Sequence, residues 1–264
     1  IVSNQSNDIN PKSVAVLPFE SFSPNPDDEY LSDGFTEVII ANLAKVKDLL
    51  VISRTSVMRY KDTNMSLKEI AEELNVANIL EGSIQRTGNT IRVVGQLIET
   101  RTDSHLWSET YDSNFDNIFS IQTSIATEIA SALRSKITEN EKSVIEEKLT
   151  DNIEAYELYL KVKKLRREGS YMDSKIRKEL LKKILDIDPE FAEAFALLSI
   201  EYSESIHFGI NTSQKRKEKA KLFIEKAFNI KPESADVRFA YGYYYYGCFK
   251  DYLRALEHYN YALS

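Results

Sequence analysis

Residues 79–111, ILEGSIQRTGNTIRVVGQLIETRTDSHLWSETY, constrain the fold more than any other stretch. Three runs of β-branched and aromatic residues are separated by Thr87-Gly88-Asn89-Thr90 and by Thr100-Arg101-Thr102-Asp103-Ser104. Val, Ile, Thr and Trp pack well on a pleated surface, whereas Gly, Asn and Asp tolerate tight turns, so the pattern predicts a three-stranded β-meander. In the middle run Ile91, Val93 and Leu97 fall on one face and Val94 and Ile98 on the other, as in a strand covered on both sides. No strand signal follows the meander. Any further strands of the sheet must come from residues before it.

Those residues alternate strand and helix. Ser13–Phe19 (SVAVLPF) is a short apolar run closed by Pro18, which has no N–H to give a ladder. Ser23-Pro24-Asn25-Pro26 reads as a loop, and Asp27-Asp28-Glu29 is the acidic first turn of a helix whose apolar stripe is Leu31, Phe35, Val38, Ile39, Leu43 and Val46. Leu49–Ser53 is a second strand, completing a βαβ unit if the strands are parallel. Ser66-Leu67-Lys68-Glu69 has capping-box form, with Asn75 as a left-handed stop. After the meander Asp116 is placed to cap a long helix, since Ile118, Ile121, Ile125, Ile129 and Leu133 share a face. The predicted order is β-α-β-α-β-β-β-α around a single mixed sheet, an α/β domain over residues 12–138.

From Thr138 the character changes. Residues 139–151 are a charged stretch read as a helical linker, and residues 152–264 carry helical signals throughout. Asp186-Ile187-Asp188-Pro189-Glu190 and Asn229-Ile230-Lys231-Pro232-Glu233 repeat one helix–Pro–helix punctuation. Each is followed by matching first-helix positions: Phe195, Leu198, Ser199 and Tyr202, then Arg238, Tyr241, Gly242 and Tyr245. Second helices carry Ala220, Ile224 and Ala227, then Ala255, Tyr259 and Ala262. A weaker copy with Tyr156, Tyr159, Leu160, Leu181 and Ile184 begins near Asn152. The pattern resembles tetratricopeptide repeats, about three of them and incomplete at the C-terminus. The interval of 43 residues between Pro189 and Pro232 exceeds the ideal of about 34, Arg238 replaces a bulky apolar residue, and the last turn is short.

The first half resembles the TolB amino-terminal-like domain of bacterial multidomain regulators. Five blocks in order carry the likeness: Val14–Phe19, Tyr30–Glu37, Val51–Ser56, Ile79–Ile84 and His105–Glu109. The resemblance implies an α/β accessory domain without known catalytic residues, set beside a cyclase-type catalytic or winged-helix domain and often after a membrane span. It places the protein in a bacterium, on the cytoplasmic or periplasmic side of a membrane-anchored chain. Other domains of the same chain are then candidate partners, and a homo-oligomer is compatible with it.

Composition narrows the function classes. Of the 264 residues 42% are hydrophobic, enough for packed cores without staples. The net charge of −7 is uneven: residues 1–140 hold 12 basic against 20 acidic side chains, the remainder 22 against 21. An acidic first half argues against nucleic acid as its partner. The lone Cys248 excludes an intrachain disulfide and leaves both cytosol and periplasm open. The polar start Ile1-Val2-Ser3-Asn4, without Met or a signal pattern, and the absence of any run of about 18 apolar residues read as a soluble piece of a longer protein, with no membrane span in this stretch.

No phosphate loop, Cys pair or His-Glu-x-x-His motif is present, so no cofactor, metal or catalytic residue is assigned. His105 beside Asp103 and Ser104 reads as a turn, because sequence neighbours in a tight turn cannot converge on one substrate atom. Asp33 and Glu37, one helical turn apart, serve either the helix dipole or a carboxylate pair. Arg54, Arg59, Tyr60 and Lys61 fit either an anion-binding loop or a solvated one, and Trp107 with Tyr111 reads as sheet packing. The sharper candidate is Tyr241–Tyr246 (YGYYYY). A helix turns about 100° per residue, so it cannot bury every ring. By the repeat resemblance a protein-binding groove is lined by Glu157, Lys161, Ile200, Glu204, Phe239, Tyr243 and Tyr246. The expected function is a non-enzymatic sensory or scaffolding segment of a larger bacterial signalling protein; the alternative is a small-ligand receptor or enzyme using a pocket at the strand ends of the α/β domain.

Overall fold

A computed structural model describes residues 9–263; the opening segment 1–8 and Ser264 lie outside the described residues. The chain divides into two compact units, Ile1–Lys148 and Leu149–Ser264, the first built on a mixed sheet and the second helical. In chain order the first unit contains β1 (Ser13–Val16), β2 (Glu20–Ser21), α1 (Glu29–Ala44), β3 (Leu50–Val51), α2 (Arg54–Val57) and α3 (Leu67–Leu74). The meander follows as β4 (Asn78–Thr87), β5 (Thr90–Glu99) and β6 (Ser104–Asn114), then α4 (Ile118–Ala132) and α5 (Glu139–Glu146). The sheet order is β3-β1-β4-β5-β6, with β2 also paired to β4.

The expected order is present, with β2 and α2 added. β1 runs parallel to both β3 and β4, which fits four buried residues in a row, and the meander is antiparallel. Pro18 interrupts the first strand without ending its partnership. Leu17 N–H still donates to the Leu80 carbonyl (2.8 Å), and Glu20 and Ser21 resume pairing against Ser83 and Ile84. The β4–β5 turn uses Gly88 at φ +61°, a conformation that costs glycine nothing.

Gly82 and Gly95 face each other across β4 and β5. The bare backbone there is covered by two rings: a Cβ on Gly82 would lie 2.5 Å from the Phe19 ring, and one on Gly95 2.9 Å from that of Trp107. Phe19 in turn packs on Phe35 of α1 with centroids 5.2 Å apart, and Trp107 Nε1 donates to Glu128 of α4 (2.8 Å). Trp107 is therefore a packing residue of the sheet.

The helix ends follow local chemistry. Ser66 and Glu69 form the reciprocal capping box, and Asn75 closes α3 at φ 54°. Asp116 does not cap α4. Phe115–Asn117 forms a 3₁₀ turn, with Phe115 buried, and the α-helix starts at Ile118 after Asn117. A second capping box, Thr138 with Glu141, starts α5. Glu141 also accepts from the Lys47 N–H (2.9 Å) and Lys45 Nζ donates to the Val144 carbonyl (2.8 Å), so α5 is fastened to the sheet unit. The backbone N–H groups of Thr138 and Lys47 and the Thr138 hydroxyl push the Glu141 carboxyl down to about 2.

The second unit contains α6 (Ile153–Glu168), α7 (Ser174–Ile187), α8 (Ala192–His207), α9 (Gln214–Ile230), α10 (Ala235–Phe249) and α11 (Tyr252–Ala262). They pack as three successive pairs, α6 with α7, α8 with α9, and α10 with α11, and α10 also lies on α8. Pro189 and Pro232 fall just before α8 and α10. Ala220, Ile224, Ala227 and Ala255 are buried where paired helices meet, and the Ser199 hydroxyl donates to the Ala220 carbonyl (2.9 Å). At the same kind of approach Gly242 leaves room for the Tyr259 ring, which a Cβ would meet at 2.6 Å.

Candidate functional site

The helical rotation divides the tyrosines of α10 among three directions. Tyr241 and Tyr245, one turn apart, stack on His258 of α11 at 4.5 and 5.7 Å. Tyr244 is buried (6% exposed) against Phe249, whose ring centroid lies 5.4 Å away. Tyr243 and Tyr246 turn toward α8, where His207 lies 6.3 and 4.8 Å from their centroids. Phe239, 49% exposed, extends this row, 6.5 Å from Tyr243 and 5.4 Å from Tyr259 of α11; Tyr252 extends it beyond Tyr246 at 6.0 Å.

Polar groups border the rings. Glu204 on α8 receives Arg166 of α6 (2.7 Å), and burial together with the Glu204 charge pushes the Tyr243 phenol up to about 12. Lys250, held at φ 58° beyond the end of α10, places Nζ 5.0 Å from the Tyr246 centroid and 2.6 Å from His207 Nδ1. Of the seven residues assigned to a groove, Glu204, Phe239, Tyr243 and Tyr246 form one contiguous surface. Ile200 is buried at 5% exposure and serves the core. Glu157 is half-buried and Lys161 exposed on α6, and that helix reaches the cluster through Arg166 instead. Arg166, His207 and Lys250 could not be chosen from sequence, since only the packing of α6, α8 and α10 brings them to the rings.

The surface offers π-faces, a paired carboxylate and a lysine, which suits apolar and aromatic side chains with neighbouring polar backbone. Burial of the Cys248 thiol pushes its pKa up and disfavours the thiolate, while its hydrogen bond with the Ser203 hydroxyl (3.5 Å) acts the other way.

A second concavity lies in the sheet unit, a cleft of about 840 Å³ bounded by the ends of β1 and β2, the start of α1, the loop before α3 and the open face of β4 and β5. The cations of the segment that follows β3 are paired with carboxylates. Lys61 bridges Glu29 (2.8 Å) and buried Asp33 (3.1 Å), Arg59 meets Glu73 (2.7 Å), and Arg54 lies 3.6 Å from Glu37. Asp33 and Glu37 thus each face a cation of this segment. Half-buried Glu81 lines the cleft, and burial and neighbouring Glu20 raise its carboxyl above the usual range. Asp103 is exposed in the β5–β6 turn at φ 55°, whereas His105, read as a turn residue, is an exposed residue of β6 paired with Ile98 of β5. Among the described residues no group of three or more His, Cys, Asp or Glu side chains is placed to hold a metal ion, and no helix is long and apolar enough to cross a membrane.

No family model matches the sequence. A protein of Rhizobium meliloti (strain 1021) named putative adenylate cyclase 3 is 38% identical over 188 residues, 71% of this chain and 32% of that protein. The chain therefore spans about a third of the length of this curated relative. Among solved structures, TolB from Acinetobacter baumannii matches with a TM-score of 0.34 and 15% identity over 46% of this chain and 28% of its own. The LpoB C-terminal domain from Salmonella enterica matches with a TM-score of 0.31 and 15% identity over 41% of this chain and 87% of its own.

Proposed function

We infer that the chain is a non-enzymatic protein-interaction segment of a larger bacterial signalling or regulatory protein. Its first unit is read as a TolB amino-terminal-like accessory domain and its helix pairs as tetratricopeptide-type repeats, with a protein or peptide docking along α8 and α10. The observation that carries this reading is the row Phe239–Tyr243–Tyr246, ring beside ring and partly open to solvent, bordered by Glu204 and Lys250. Similarity to part of a much longer cyclase-named protein supports the accessory role. On this reading any cyclase chemistry of the whole protein belongs to other residues.

Phe239→Ala combined with Tyr246→Ala removes exposed ring surface while leaving the buried Tyr244 in place. Capture of partner proteins from a bacterial lysate, quantified by mass spectrometry, is expected to fall about tenfold, with the melting temperature nearly unchanged. Undiminished capture by the folded double variant contradicts the reading.

The second reading places a small ligand in the sheet-unit cleft, and the half-buried Glu81 with its raised carboxyl favours it. A saturable rise in melting temperature with a metabolite, lost in Glu81→Gln, would move the function there.

A further inference from the structure

The helical unit gathers three cationic side chains from two helices around one ring. Lys178 of α7 and Arg216 and Lys219 of α9 all approach the ring of Tyr202 on α8, with charged centres 5.6, 5.6 and 5.5 Å from its centroid. Phe223 stacks on the same ring at 5.6 Å and 24°. No two of the three cations can be more than about 11 Å apart, close to the distance over which salt screens charge. Lys182, one turn beyond Lys178 and exposed, adds to the field that acts on Lys178.

Three further observations separate this cluster from an ordinary solvated lysine face. Arg216 Nη1 is buried with no hydrogen-bond acceptor among the described residues, an orphan charged donor. Lys178 donates only to the Ser174 hydroxyl (2.9 Å), and its ammonium is made easier to deprotonate by burial and by the charges of Arg216, Arg177 and Lys182. Glu201, a carboxylate whose field acts on Lys178, is already held by Arg166, Arg177 and Ser174. By contrast Lys221, on the next turn of α9, is paired with Glu225 at 3.5 Å.

We propose that Lys178, Arg216 and Lys219, with Lys182 at the rim, form a binding site for a multiply charged phosphate-type oxyanion. A single carboxylate would leave the cluster strongly positive. A phosphate or pyrophosphate group supplies two or more charges and several acceptor oxygens, matching an ammonium on each side and the unpaired N–H of a guanidinium fork. The exposed Lys182 and Lys219 keep the site open to solvent, so the phosphate can belong to a soluble molecule or to a lipid headgroup.

Calorimetric titration of the full chain with inorganic pyrophosphate at low salt tests the site. One saturable site is expected, weakened about tenfold by Arg216→Gln and by Lys219→Gln, each losing a charge-assisted contact, and changed less than about twofold by Lys221→Gln, whose lysine, two residues on from Lys219, does not share its helix face and is paired with Glu225. Retention of the helical circular dichroism and melting temperature in Lys219→Gln, at an exposed position, separates loss of binding from loss of fold. Displacement of pyrophosphate by a nucleoside triphosphate assigns a soluble source, and displacement by phosphoinositide vesicles a membrane source; either supports the site if Arg216→Gln removes it. Absence of saturable binding, or an equal loss in Lys221→Gln, overturns it.

Discussion

Glu201→Ala is expected to destabilise the helical unit by about 3–5 kcal/mol, the cost of leaving buried charge without its partner. The Glu201 side chain is fully buried and receives Arg177 Nε (2.7 Å), Arg166 Nη1 (2.6 Å) and the Ser174 hydroxyl (2.7 Å), joining α6, α7 and α8 at one carboxylate. Burial alone would raise its pKa, but the hydrogen bonds from Arg177 and Ser174 and the two guanidinium charges more than offset this and hold it below the ordinary 4.5. A folded-state pKa below the unfolded one contributes stability at pH above 4.5, and that contribution fades as pH falls through the folded value. Denaturant unfolding followed by helical circular dichroism reads the effect. Glu201→Gln keeps the volume but leaves two cations on a neutral amide, so it should also lose stability heavily. A change below about 1 kcal/mol, the size expected of a surface pair, would show that the network is not a structural junction.

Gly82→Ala is expected to cost the sheet unit at least about 3 kcal/mol, and Gly95→Ala clearly less. At Gly82 the added Cβ would lie 2.2 Å from the Val94 carbonyl oxygen and 2.5 Å from the Phe19 ring, so both the ladder and a fully buried ring must move. At Gly95 only the Trp107 ring is met, at 2.9 Å, and a side chain can shift where a backbone carbonyl cannot. Thermal unfolding of the two variants distinguishes them. Equal costs would mean that ring displacement, not backbone collision, sets the penalty.

The parts legible in the sequence are those written in local chemistry. The meander follows from turn residues between β-branched runs, α3 from a capping box and an Asn stop, and the helix pairs from Pro punctuation with small residues at fixed spacing. What stayed hidden depends on partners distant along the chain. β2 is two residues long and exists only because β4 offers Ser83 and Ile84 as ladder partners. Gly82 and Gly95 both lay within the meander, yet the reason for the pair is the two rings laid over it. Glu201 sits in an apolar helix without any local signal, because its arginines are 24 and 35 residues away. The Tyr202 cation cluster is drawn from two helices that each read alone as a solvated lysine face. For the candidate groove, the tyrosine run announced itself, while Arg166, His207 and Lys250 were assembled by packing, and Ile200 went to the core.

A protein partner that meets the helical unit along α8 and α10 must come within reach of Phe239. A photo-activated benzophenone amino acid placed at Phe239, and separately at Met65 on the rim of the sheet-unit cleft, tests it in living bacteria carrying the full-length protein. A discrete protein crosslink is expected from position 239, to another chain or to another domain of the same one, and none from position 65. A crosslink from position 65 alone, or from neither, would contradict it.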